Sequence, residues 1–295
     1  MNPLVAGILV ILTTSLMGSS FAVGKIGLAY MSPLLLIGLR FTLAGVLMAL
    51  VVIKKPFPKQ PLDWGKIFLI GLFQTAGVMG CIFLSLRTIP AGESSILTFS
   101  NPLLVVILSS LFLGSRYQFS HWLGVLIGFM GVFITLGLHL QLRIGTLLGL
   151  GAAISWSIAT ILIKKWGMRF NIWVLTAYQM FFGGILLLLF SAAMETPKLI
   201  INPTSVFIVL WLAIMASIVQ FAIWFYLLNQ GDPGKTSAFL FLAPFFGVLS
   251  GWLLLDEVVE WYVYVGGLLI FIGIFLVNWT FSKKEQANRI TAKSI

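Results

Sequence analysis

Charge is scarce in this sequence. Only 9% of its 295 residues are Asp, Glu, Lys or Arg, against about a quarter in soluble domains. With 60% hydrophobic residues and a mean hydropathy of +1.08, no water-soluble fold has enough interior to hide the apolar surface. Cysteine occurs once, as Cys81 within an apolar run, which excludes an intrachain disulfide and a thiolate metal cluster. The two histidines, His121 and His139, are far apart and no metal-ligand spacing occurs; neither a metal nor a cofactor is expected. No stretch is polar enough for a soluble domain of even about 40 residues, which argues against a signalling scaffold. Carboxylates cluster once, in DEVVE at 256–260, and that stretch reads as a turn between helices. An integral-membrane enzyme acting on lipid-linked substrates stays as the alternative reading, and it would need such a cluster at one interface.

What is abundant is the long apolar run. Runs of about 20 residues match the roughly 30 Å hydrocarbon core of a bilayer, and hydropathy with turn signals divides the chain into ten of them: 4–27, 33–53, 65–87, 91–113, 119–138, 145–165, 171–193, 204–228, 234–255 and 260–280. Breakers separate them, among them Ser32-Pro33, KKPFPKQP at 54–61, Asn202-Pro203 and GDPGK at 231–235. The runs are about twice the length of a barrel strand and lack strict alternation, so they predict helices: an all-α integral membrane protein. Ser20-Phe21-Ala22 loosely resembles a signal cleavage site, but no Lys or Arg precedes the apolar core. The first run is therefore expected to stay as a helix.

Of the eighteen basic residues, thirteen fall in the connections between runs two and three, four and five, six and seven, and eight and nine, or in the C-terminal tail. Four, Lys25, Arg87, Arg143 and Lys198, fall on the opposite side. This bias predicts both termini in the cytoplasm. It also explains the net charge of +10 as topology signal and contact with anionic membrane lipid; nucleic acid is not an expected partner.

The chain repeats itself. At an offset of 139, Met17 falls on Trp156, Lys25 on Lys164, Arg40 on Gln179 and Gly45 on Gly184. Further along the offset is 142, so that Ser95 falls on Ser237, Pro102 on Pro244, Gly124 on Gly266 and Gly131 on Gly273. Two units follow, 1–140 and 141–282, with a basic cytoplasmic tail at 283–295. Five is odd, so the second unit must cross the membrane upside down; inverted repeats mark secondary transporters, whose substrate site lies near the midplane.

LRF in the second run, SNP at 100–102 echoed by LAP at 242–244, and LLLDE at 253–257 followed by GGLLIFIGIFLV together resemble the EamA family of the drug/metabolite transporter superfamily. The similarity covers 5–280. It implies ten helices with both termini inside, a central cavity lined by spans one to four and six to nine, and export or exchange of small metabolites at a bacterial plasma membrane. Two positions depart from the family pattern: LGS at 113–115 replaces the usual Leu-Gly-Glu, and Met17 stands where Trp is common.

Arg40 lies about seven residues into its run, roughly 10 Å below the start at 1.5 Å per residue. Placing Arg at the bilayer centre costs about 2.5–3.5 kcal/mol on insertion scales, so a partner is required. Either the guanidinium faces a cavity and attracts a substrate carboxylate or phosphate, or it is held by backbone carbonyls, headgroups or Glu93. The other substrate-binding candidates are Gln74, Thr98, Asn101, Trp156, Gln179, Gln220 and Trp224: polar groups on helical stripes that must face protein or water, and two tryptophans set deeper than an interfacial belt. Lining a cavity and hydrogen bonding between helices are both open for them. Pro102 and Pro244 each remove one helix hydrogen bond and are candidate hinges. No Asp or Glu occupies the middle of any run. A proton-driven antiporter usually needs such a group, so exchange or facilitated efflux is the expectation.

Overall fold

The computed structural model describes residues 3–114, 117–135, 143–230 and 242–276. These residues form ten apolar helical rods: α1 Pro3–Gly27, α2 Pro33–Val51, α3 Pro61–Ser85, α4 at 91–113, α5 Phe119–Thr135, α6 Ile144–Trp166, α7 Ile172–Met194, α8 at 203–230, α9 Leu242–Leu255 and α10 Trp261–Leu276. Seven are long and apolar enough to cross a membrane, while α5, α9 and α10 are shorter. The expected parts of spans five, nine and ten at 136–138, 234–241 and 277–280, and the tail at 283–295, lie outside the described residues. Residues Ser20 to Ala22 sit within α1 as uninterrupted helix.

Local chemistry sets the helix starts. Pro33, Pro61 and Pro203 open their rods, where the missing N–H costs nothing and φ is already helical. Asn202 and Ser205 form a reciprocal cap on α8, and Asn171 accepts from Trp173 N and Val174 N at the start of α7. Two carboxylates cap from a distance: Glu195 accepts from Leu34 N at 3.2 Å, and Glu257 from Ala91 N at 2.8 Å.

The centre of the bundle is the α2–α7 crossing. A Cβ built on Gly45 would stand 2.5 Å from Phe181 N, and one on Gly184 would meet Thr42 N, so two backbones touch where only glycine fits. At the other end of the fold α5 and α10 meet in the same way. A Cβ on Gly131 would lie 2.5 Å from Gly266 O, and one on Gly273 2.5 Å from Gly124 O. In both crossings the repeat exchanges the two contacts, that of Gly45 with that of Gly184 and Gly131–Gly266 with Gly273–Gly124.

The packing follows the repeat more widely. When each rod is exchanged with the one five places away, α2–α7 and α4–α9 map onto themselves, α1–α9 maps onto α4–α6, α3–α6 onto α1–α8, and α3–α7 onto α2–α8; all of these pairs are packed together. Rods α3 and α8 each contain one π-helical turn, Leu72–Gly77 and Ile214–Val219. These turns stand 142 residues apart, the repeat offset.

α4 is interrupted at Phe99–Ser100, between its helical segments Ala91–Thr98 and Asn101–Leu113. Pro102 cannot donate to the carbonyl four residues earlier, and the chain takes a turn instead, with Ser100 N donating to Leu97 O at 3.2 Å and Leu103 N to Ser100 O at 3.0 Å. Pro244 is buried at the third position of α9; the residues before Leu242 lie outside the described set.

Candidate functional site

A small cavity of about 50 Å³ occupies the middle of the bundle, where α1, α2, α3, α6 and α8 converge on the break in α4. Four polar side chains line it, Ser20, Arg40, Gln74 and Gln220. The remaining wall is apolar and rich in aromatic rings and methionine: Met17, Phe21, Met79, Phe83, Phe99, Trp156 and Phe221 stand in it. Phe99 is central to that wall, its ring 5.4 Å from Trp156 and 6.2 Å from Phe21. The cavity as it stands has room for no more than a few waters.

Arg40 is 3% exposed and its partners lie on α8. Nε donates to Ser217 Oγ at 2.9 Å and Nη2 to Ala216 O at 2.8 Å. The guanidinium also lies 4.7 Å from the centre of the Phe41 ring, a favourable cation–π distance. Nη1 is buried and has no hydrogen-bond partner among the described residues. The side chain is thus held by a backbone carbonyl and a hydroxyl, and Arg40 is also among the residues lining the cavity. Its pairing with Glu93 does not occur: Glu93 accepts from Thr146 Oγ1 at 3.2 Å instead.

The π turn of α8 explains why Ala216 O accepts. A π turn widens the helix and displaces carbonyls from their usual i+4 donors. Ser217 Oγ donates to Leu212 O at 3.0 Å, five residues back. The matching turn of α3 is pinned in the same fashion: Ser155 Oγ of α6 donates to Phe73 O at 2.9 Å, and Thr75 Oγ1 donates to Gln179 Oε1 of α7 at 2.6 Å. Under the repeat, Thr75 corresponds to Ser217 and Gln179 to Arg40. Each π turn is therefore latched to the central crossing pair, once through a neutral amide and once through a cation.

Of the expected binding residues, Arg40, Gln74, Trp156 and Gln220 meet at the cavity. The other four do not line it. Gln179 is committed to Thr75. Asn101 opens the second segment of α4, where its carbonyl accepts from Ser157 Oγ at 3.1 Å. Thr98 is buried beside the break, its Oγ1 without a partner among the described residues. Trp224 is half-buried and is not among the lining residues. The polar chamber expected from the stripes is thus narrower and more aromatic than polarity alone indicates. The lining residues that polarity missed, Phe21, Met79, Phe83, Phe99 and Phe221, are apolar residues in apolar runs. Met79 and Phe221 carried one available signal: they are equivalent under the repeat, as are Met17 and Trp156, and both members of each pair border the cavity.

The two ends of the bundle differ. At the end carrying Lys54, Lys55 and Lys59, Phe57, Trp64, Tyr178 and Phe182 form a contiguous aromatic cluster, with Trp64 edge-on to Tyr178 at 4.8 Å. At the opposite end a vestibule of about 610 Å³ opens between the α1–α2, α3–α4 and α7–α8 connections. Lys25, one of its lining residues, pairs with Glu257 at 2.7 Å and donates to Ile89 O at 3.0 Å. DEVVE is a non-helical connection as expected, yet its Glu257 holds α1 and α4 together.

The model of the EamA-like transporter family matches this chain twice, over residues 5–137 and 143–279. The chain is similar to the "Probable amino-acid metabolite efflux pump" of Escherichia coli (strain K12), with 30% identity over 287 residues, 92% of this chain and 93% of that protein. It is 27% identical to the "Uncharacterized transporter YoaV" of Bacillus subtilis (strain 168), over 94% of this chain and 97% of that protein. A solved crystal structure shares the fold with a TM-score of 0.64 at 22% identity, covering 92% of this chain and 96% of that one. With its helices, its duplicated packing and two family matches that together span nearly all of it, the chain belongs to the EamA-like transporter family of the drug/metabolite transporter superfamily.

Proposed function

We propose that this chain is a secondary carrier working by alternating access, which exports or exchanges small polar or amphipathic metabolites such as amino acids or their derivatives. In this reading ten helices cross the plasma membrane as two inverted five-helix repeats, 1–140 and 141–282. Both termini and the basic tail lie in the cytoplasm. The double family match, the glycine crossings and the π turns at one offset support the duplication. The bias of basic residues supports the orientation, which puts the aromatic cluster on the cytoplasmic side and the vestibule outside.

One observation carries the substrate reading: Arg40, whose Nη1 is buried and unpartnered among the described residues, is one of the residues lining a cavity walled also by Gln74, Gln220, Trp156 and Phe99. A desolvated guanidinium suits a carboxylate or phosphate, and the rings suit an apolar portion of the same solute. The name of the 30%-identical relative supports amino-acid metabolites as the class. The cavity is too small for such a solute, so transport requires the halves to separate around it, the break at Phe99–Ser100 and the π turns being the places where rods can bend.

The test is twofold. Metabolites that accumulate in the medium of overexpressing cells nominate the substrate, and its uptake into proteoliposomes with and without a pH gradient measures transport and coupling. Gln220→Ala and Gln74→Ala should raise KM at least fivefold while inserting normally, and Arg40→Ala should lower flux. Wild-type kinetics in all three would overturn the cavity assignment, and flux that tracks the proton gradient would replace exchange with proton coupling.

A further inference from the structure

The vestibule has chemistry of its own. It is lined by three cations, Lys25, Arg87 and Lys198, and one carboxylate, Glu195. Glu195 is turned to other work: it accepts from Leu34 N, and Oε2 also accepts from Ser191 Oγ at 2.9 Å. Lys25 is paired with Glu257. Lys198 uses one of its three protons on Ala29 O at 2.6 Å, and Arg87 is exposed and makes no ion pair among the described residues.

An independent feature lies in the same wall. Ser32 is 9% exposed, and its Oγ is buried without a hydrogen-bond partner among the described residues. A hydroxyl in that state is costly unless something bonds to it. It is also fixed in place: Ser32 N donates to Lys198 O at 3.0 Å and Ile200 N to Tyr30 O at 2.9 Å, a short antiparallel clasp that holds the serine beside the Lys198 backbone. Ser32 immediately precedes α2, whose N-terminal dipole is met by the Glu195 carboxylate, so the positive potential of the vestibule comes from its Arg and Lys side chains.

We propose that this vestibule is an anion-binding site, taking a carboxylate or phosphate group between Arg87, Lys198 and the Ser32 hydroxyl. Its volume of about 610 Å³ falls in the range of small-molecule sites. It is separate from the central cavity yet stacked on it. Phe83, near the end of α3, borders the cavity and Arg87, in the turn just after α3, borders the vestibule; Phe21 and Lys25 stand one turn apart on α1. Its role as the outer station of a transport route rests on the carrier reading; the site itself does not.

Two sources could supply the group, a soluble anion or an anionic lipid headgroup, and the experiment separates them. Saturation-transfer NMR with succinate is recorded on the full-length protein in phosphatidylcholine nanodiscs. The wild-type signal should fall at least fivefold in Arg87→Gln/Lys198→Gln and twofold or more in Ser32→Ala, and stay unchanged in Lys54→Gln/Lys59→Gln at the other end. Both exposed cations can be neutralised without touching a packed residue. The measurement is repeated in phosphatidylglycerol nanodiscs, with native mass spectrometry counting retained lipid. Displacement of succinate, with lipid kept by wild type and lost from the double variant, identifies a headgroup as occupant; undiminished succinate binding identifies a soluble anion. Equal succinate signals and equal lipid retention in wild type and the double variant would overturn the site. Binding that survives in Gln220→Ala while its transport fails separates the vestibule from the central cavity.

Discussion

The two latches that pin the π turns are geometrically equivalent but chemically unequal, and the inequality is measurable. Arg40 Nε donates to Ser217 Oγ at 2.9 Å, a hydrogen bond from a charged donor in a buried setting, worth about 1.5–3 kcal/mol. Thr75 Oγ1 donates to Gln179 Oε1 at 2.6 Å, a neutral contact between membrane helices of the sort that averages about 0.6 kcal/mol. Two double-mutant cycles isolate these terms, Arg40→Met with Ser217→Ala and Thr75→Val with Gln179→Leu. A cycle is needed because Arg40→Met alone also removes the burial cost of a charge and so can look neutral. Reversible unfolding in mixed micelles supplies the free energies. The Arg40–Ser217 coupling should exceed that of Thr75–Gln179 by about 1 kcal/mol or more, a factor of about five in equilibrium constant. Equal couplings, or a larger one for Thr75–Gln179, would refute the account of Arg40 as the stronger clamp on α8.

Gly45→Ala and Gly184→Ala should each destabilise the bundle by about 1–3 kcal/mol, because the added methyl meets Phe181 N or Thr42 N, whereas Gly7→Ala and Gly65→Ala, with nothing within 4 Å, should be neutral; the same unfolding assay checks both. Glu257→Gln keeps an oxygen to accept from Ala91 N but loses the pair with Lys25, and Glu257→Leu loses both, so stability should fall in the order wild type, Gln, Leu. A Gln variant as unstable as Leu would mean that the ion pair, not the cap, dominates. Phe99→Ala removes the ring between Phe21 and Trp156, and competition assays in proteoliposomes should show bulkier solutes gaining relative to the preferred substrate by threefold or more.

The rods were readable because each apolar run need only match a bilayer's thickness, a constraint that acts on every residue at once. The equivalence of Gly45 and Gly184 was readable from the repeat offset, and a duplicated chain that packs about a two-fold relation sets equivalent small residues in equivalent contacts. The π turns left no such mark: Leu72–Gly77 carries Gln74 and Thr75 and Ile214–Val219 carries Ser217, but polar residues of this kind also occur in the ordinary helical turns of other rods and do not distinguish a π turn.

Polarity marked the cavity only in part because hydroxyls have a local way out. Ser157 Oγ donates to Ala153 O, Thr176 Oγ1 to Ile172 O and Thr160 Oγ1 to Trp156 O, each to its own helix four residues back. A stripe of such residues therefore need not face water or substrate. A guanidinium, with five donors and no acceptor, has no such recourse, and the Glu257 carboxylate stands in the connection after α9, outside any helix. Arg40 must reach α8 and Glu257 must reach α1 and α4 for partners. That is why the few charges placed near the bilayer interior located the joints of this fold, while the more numerous hydroxyls did not.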